Sequence, residues 1–205
     1  MKDREQTKRK LIDAVGILIK SKGFNGIRIS KVARQAGVER KLIYRYFENM
    51  KNLTEAYIVE NDYWMLFEEH LKALSKDLND ENARSVITGI LQDLFKYFYH
   101  EPKMQNLILM ELTGSSHIMS SIHNVRELIG QELLEKTDTH FENSGINFRA
   151  VAALLIGGIY YTILHTLNNE YDFADVDLKS DEGMQSIMYS LGKVVDWAFD
   201  AAGKQ

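Results

Sequence analysis

Apolar side chains recur along this chain at intervals of three and four residues and almost never in strict alternation, the period of α-helices rather than strands. Leu11, Ile12, Val15, Leu18 and Ile19 give a wide apolar face to a first helix expected from about Arg4 to Lys22. Gly23 should end it, because glycine takes the left-handed conformation of a helix C-terminus without strain, and Phe24 just beyond can fold back onto the last turn. Ser30 suits the N-cap of a short helix from Lys31 to Ala36, Gly37-Val38 read as a turn, and a second short helix follows from Glu39 to Tyr46. A long connecting helix is expected from Lys51 to Leu78, with further helices near 83–100, 103–113, 118–139, 147–168 and 182–201. The single proline, Pro102, falls at a helix start, where its missing N–H is harmless. The pattern therefore predicts an all-α fold.

With 205 residues, 45% of them apolar and 26% charged, the chain has the make-up of a packed globular protein. The absence of cysteine excludes disulfides, thiolate metal sites and a cysteine nucleophile, and fits a reducing compartment. The charged N-terminus lacks the apolar core of a secretory signal, so a cytoplasmic location is expected. The apolar run from Ala150 to Leu167 barely reaches the length of a bilayer span and reads as a buried helix, with no membrane partner expected.

Charge changes the picture more than composition does. Residues 1–52 hold fourteen Lys and Arg against five Asp and Glu, although the whole chain has a net charge of -4. A basic head on an acidic body orients a molecule on a polyanion such as nucleic acid.

The segment from Arg28 to Phe47 meets the steric demands of a helix-turn-helix. Crossing helices need small residues where their backbones approach, and Ala33 and Ala36 supply them. Four residues after Ala33 the chain must turn sharply, and Gly37 stands there, with Val38 and Ile43 placed to fill the space between the helices. Arg40, Lys41, Tyr44, Arg45 and Tyr46 are left for the exposed face of the second helix, long donors suited to phosphates and base edges in a major groove. Arg28, Ser30, Lys31 and Lys51 flank them as further candidate DNA contacts.

Ala33, Gly37, Val38, Ile43, Tyr44, Tyr46 and Phe47 resemble the head motif of the TetR-type bacterial transcriptional regulators, the similarity running from about Lys10 to Leu53. The resemblance implies a three-helix head (1–50) joined by a long helix to a helical ligand-sensing and dimerisation domain (51–205), with a dimer formed through the last two helices. Glu39, Lys41, Leu42 and Met50 depart from the family's usual serine, glycine, serine or threonine, and lysine. The operator sequence therefore cannot be carried over.

Trp64, Phe67, Phe95, Phe98, Met104, Met110, Tyr160 and Tyr161 are adaptable apolar side chains of the kind that line ligand pockets and equally build cores. Glu111, in an otherwise apolar run, joins them as a candidate pocket residue that could meet a cationic ligand or Arg126, or lie at the helix edge in water. Gly157-Gly158 sit mid-helix, where glycine is unfavourable unless another backbone comes close. With Tyr161 and with Val194 and Trp197 on the last helix, they form the candidate dimer interface.

No catalytic constellation emerges, and no cofactor or metal is expected. His123 and Glu127 are one turn apart but too few for a site, and the acidic stretch Asp172, Asp175, Asp177, Asp181 lacks the glycine and final glutamate of an EF-hand. The expected function is a homodimeric, ligand-responsive repressor, not an enzyme, binding a palindromic double-stranded operator and released by a small, largely apolar effector. An all-α enzyme or carrier with an incidental basic head, and a DNA-binding scaffold without an effector, are the alternatives.

Overall fold

The computed structural model describes residues 2–23, 26–113 and 117–203. These form eleven helices: α1 (Lys2–Lys22), α2 (Ile29–Ala36), α3 (Lys41–Phe47), α4 (Met50–Val59), α5 (Tyr63–Leu66), α6 (Glu68–Asp77), α7 (Ala83–His100), α8 (Pro102–Thr113), α9 (His117–Phe141), α10 (Phe148–Asn168) and α11 (Asp181–Ala202). The all-α expectation holds among them, an isolated bridge between Phe173 and Val176 being their only β contact. Phe24 and the side chains of Met119 and His123 lie outside the described residues. The chain divides into two compact units, one of residues 1–66 with 102–126, the other of 67–101 with 127–205.

In the first unit the apolar face of α1 is the floor of the core. Leu11, Val15 and Leu18 meet Val32 and Ala33 of α2, Ile43 of α3, and Leu53, Tyr57 and Ile58 of α4. Leu107 of α8 enters the same core, so a helix from the middle of the chain helps build the head. Gly23 ends α1 as anticipated, with φ 65° and its N–H donating to the Ile19 carbonyl at 2.9 Å. Gly37 ends α2 with φ 66°, and the Val38 N–H returns to the Ala33 carbonyl at 3.0 Å.

Two expectations are corrected here. Ser30 does not cap α2; the chain enters the helix from extended Arg28, whose carbonyl accepts from Lys31 and Val32, so Ser30 already lies within the first turn. The continuous helix expected from Lys51 to Leu78 is instead α4, α5 and α6. Asn61 and Asp62 break it by offering side chains in place of the backbone ladder: the Asn61 amide donates to the Tyr57 carbonyl at 2.6 Å, and Asp62 Oδ1 accepts from the N–H of Trp64 at 3.1 Å and of Met65 at 3.3 Å. A second break follows at Phe67, whose backbone is not helical.

Gly16 has a tertiary role that its place in α1 hides. A Cβ there would lie 2.6 Å from Cε2 of buried Tyr57, so the ring packs directly on the helix backbone. Burial in this contact, with the charge of Asp13 nearby, pushes the Tyr57 hydroxyl up to about 12. Gly16→Val should therefore destabilise the protein by about 1–3 kcal/mol through overpacking, despite the better helix former. A urea titration checks this, and an unchanged midpoint would show that Tyr57 moves aside freely.

The second unit packs α7 against α10 and α11. Phe141, Phe148 and Phe199 form a buried aromatic knot, with centroids 4.5–5.2 Å apart and Phe141 stacked on Phe148. Asn147 caps α10 by accepting from Ala150 N–H, and Ser180 caps α11 by accepting from Gly183 N–H. The run expected to be a buried helix is buried on one face only: of the apolar window in α10 just 33% is covered within this chain. Its other face leaves Leu154 78% exposed, and nothing approaches within 4 Å of where a Cβ would stand on Gly157 or Gly158.

Candidate nucleic-acid interface

The basic side chains of the head have different fates, and these define the site. Arg9 is engaged within the fold: its guanidinium grips both oxygens of Glu60, at 2.7 and 3.1 Å, and this hydrogen bond and charge hold it above its ordinary pKa. Arg28, Arg40, Lys41, Tyr44 and Arg45 are exposed. Buried Ile43 anchors α3 to the core, so the opposite face of that helix is presented to solvent with Tyr44 and Arg45 on it.

Between α2 and α3 lies an open cleft of about 780 Å³ bordered by Ser30, Lys31 and Arg34 on one side and Val38, Glu39, Arg40 and Lys41 on the other. Thus Ser30, Lys31, Arg40 and Lys41, expected separately from the sequence, are brought together. Lys31 is half-buried rather than fully free. Arg34 joins them unanticipated, although its position one turn after Lys31 on an amphipathic helix was a readable signal.

Tyr46 differs from the freely exposed contact expected of it. Its half-buried ring packs against the head core and carries two guanidinium groups, Arg4 at 5.7 Å and Arg45 at 5.8 Å from the ring centroid. Such cation–π contacts pre-orient arginines that would otherwise be mobile. Arg4 is therefore a second residue that the motif did not reveal. Lys51, at the start of α4, is exposed and paired with Glu55 at 3.5 Å. Met50, where the family pattern has lysine, packs on the head core instead.

Exposed donors mounted on a rigid three-helix support, with a cleft between the two short helices, form a surface that can grip phosphates and reach base edges. The next element supports it. Asn49 caps α4 by accepting from Asn52 N–H at 2.8 Å, which sets the direction in which that helix leaves the head.

The residues expected to line a ligand pocket are distributed over both units. Trp64 and Met104 are buried in the first unit, where Met110 packs against the head core. Glu111 meets Arg126, one of the options its sequence context left open, and the same guanidinium holds Asp62. In the second unit Phe95 and Phe98 are buried, Phe98 packs on Tyr160 at 4.7 Å, and Phe67 lies edge-on to Tyr97. Tyr161 is 56% exposed and contacts His165 and Phe173. Of the expected interface residues, Gly157, Gly158, Tyr161 and Trp197 are exposed in the single chain, and Val194 is half-buried.

Residues 11–57 match the family model described as bacterial regulatory proteins, tetR family. An uncharacterized HTH-type transcriptional regulator of Haemophilus influenzae is 26% identical over 114 residues, 55% of this chain and 54% of that one, so the match spans about half the length of the curated relative. Among solved structures, the transcriptional regulator FadR of Bacillus subtilis, in complex with stearoyl-CoA, superposes with a TM-score of 0.64 at 20% identity, covering 91% of this chain and 96% of that one. A TetR family transcription regulator of Marinobacter aquaeolei gives 0.64 at 16% identity, covering 95% and 98%. At these identities the two structures show a shared fold.

Proposed function

We propose that the chain, whose residues 11–57 match the model of the tetR family of bacterial regulatory proteins, is a member of that family and acts as a homodimeric, ligand-responsive repressor. Residues 1–50 are its DNA-reading head and 51–205 its sensing and dimerising body. The observation that carries this reading is the surface of α2 and α3, where Arg40, Lys41, Tyr44 and Arg45 stand exposed beside Ser30 and Lys31 on a packed support. Two such surfaces related by a two-fold axis fit successive major grooves of a palindromic operator, about 34 Å apart.

A dimer through α10 and α11 is supported by what those helices leave uncovered. Leu154, Tyr161 and Trp197 are large apolar side chains at 78%, 56% and 64% exposure, and the glycine pair offers a flat strip against which another backbone can lie. The effector is a small, largely apolar molecule, a reading favoured by the aromatic and methionine-rich body. Its binding alters the angle of α4 and with it the distance between the two recognition helices, releasing the operator.

Binding to the DNA upstream of the protein's own gene should weaken steeply with salt, since each neutralised phosphate releases a counterion. For six phosphate contacts the loss is on the order of 10³ between 50 and 200 mM salt. Arg45→Ala should weaken binding and flatten that slope. Affinity independent of salt, or unchanged by Arg45→Ala, would overturn the assignment of the head.

A further inference from the structure

The recognition surface carries one charge of the wrong sign for a polyanion. Glu39 stands in the turn before α3, its backbone held by the Leu42 N–H, which donates to the Glu39 carbonyl at 3.0 Å. Its Oε2 lies 2.9 Å from the ammonium of Lys41, and both side chains are exposed on the rim of the cleft. An exposed ion pair of this kind contributes little to stability, so its geometry points outward, to what it meets. Facing phosphates, the carboxylate would only repel. Facing base edges, it has two possible donors in the major groove, N4 of cytosine and N6 of adenine.

We propose that Glu39 and Lys41 act together as a reader of one C·G pair in each half-site, Glu39 accepting from cytosine N4 and Lys41 donating to guanine O6 and N7. This rests on the DNA-binding reading above and adds the base chemistry to it. In a C·G pair the N4 donor and the O6 acceptor are hydrogen-bonded to each other, and so stand about 2.9 Å apart. That is the separation of Glu39 Oε2 and Lys41 Nζ, so the ion pair presents acceptor and donor in register with the edge it meets. An A·T pair offers N6 and O4 at similar spacing but fits worse on both sides. Adenine N7 sets a second acceptor beside the carboxylate, and the thymine methyl group crowds the ammonium where guanine supplies N7. The pair is also directional, which fixes the strand on which the cytosine lies.

The test is selection of duplexes from a randomised synthetic library by the full-length chain and by two variants, Glu39→Ala and Glu39→Gln. Both substitutions are at an exposed side chain, and far-UV circular dichroism checks that the helices are intact. The wild type should enrich C·G at one position of each half-site. Glu39→Ala should lose discrimination there by roughly tenfold while other positions are kept. Glu39→Gln should move the preference at that position toward A·T, because a glutamine amide pairs with adenine N6 and N7. The same base profile in all three proteins, or tighter binding by Glu39→Ala with no position relaxed, overturns the inference and leaves DNA binding standing. Retention of no duplex by the wild type overturns both.

Discussion

Arg126→Ala is expected to cost about 3–5 kcal/mol of stability, because it strands a buried carboxylate. Asp62 is fully buried and answers two demands at once. Its Oδ1 caps the turn into α5, and its Oδ2 accepts from Arg126, from Nε at 2.9 Å and also from Nη2. The remaining arm of the same guanidinium, Nη1, donates to Glu111 on α8. Removing Arg126 leaves Asp62 without its counter-ion and Glu111 without its donor, so the loss includes desolvation as well as pairing. For a chain of this size the thermal midpoint should fall by roughly 6–20 °C. Asp62→Asn combined with Arg126→Met should recover much of it, since an amide still caps α5 and the carboxylate left without its donor, Glu111, is part-exposed rather than fully buried. A fall of less than about 1 kcal/mol for Arg126→Ala would mean that water reaches Asp62 without cost.

Phe199→Ala should produce a loss of similar size, about 3–5 kcal/mol, from a different cause. The ring is 1% exposed, packs on Phe141, Phe148 and His140, and has the Arg84 guanidinium 5.4 Å from its centroid. Truncation removes the transfer free energy of a whole ring, opens a cavity among aromatic neighbours that cannot collapse around it, and forfeits the edge-to-face contacts. Phe199→Leu keeps most of the volume and should cost about half as much or less. Chemical denaturation of the two variants side by side separates the cases. Equal losses would assign the effect to ring geometry rather than to volume.

The two sites were not equally legible in the sequence. Phe141, Phe148 and Phe199 fall on helices that their periodicity identifies, but the stacking of Phe141 on Phe148 depends on how the turn between α9 and α10 folds back, which no local rule specifies. Arg126 was visible only as one option for Glu111, and its bond to Asp62 spans 64 positions. A charge in an apolar run says that a partner is needed, never which one. The same limit hid Arg4 behind the N-terminal basic cluster: its contact is with Tyr46, a ring that the motif read as freely exposed.

By itself the amino-acid sequence determined the helical class, the boundaries of most helices, the turn at Gly37 and most of the residues that α3 leaves exposed. Each of these is settled by interactions within a few residues: a 3.6-residue period, a glycine free to adopt positive φ, a branched side chain facing inward. The tertiary structure alone decided that the expected long helix breaks at Asn61 and Asp62, that Leu107 completes the core of the head, that Gly16 is a seat for Tyr57, and that only 33% of the apolar window of α10 is buried within one chain. Those outcomes turn on which buried groups find each other across the chain. An apolar stripe or a lone charge records the need for a partner, and only packing chooses it.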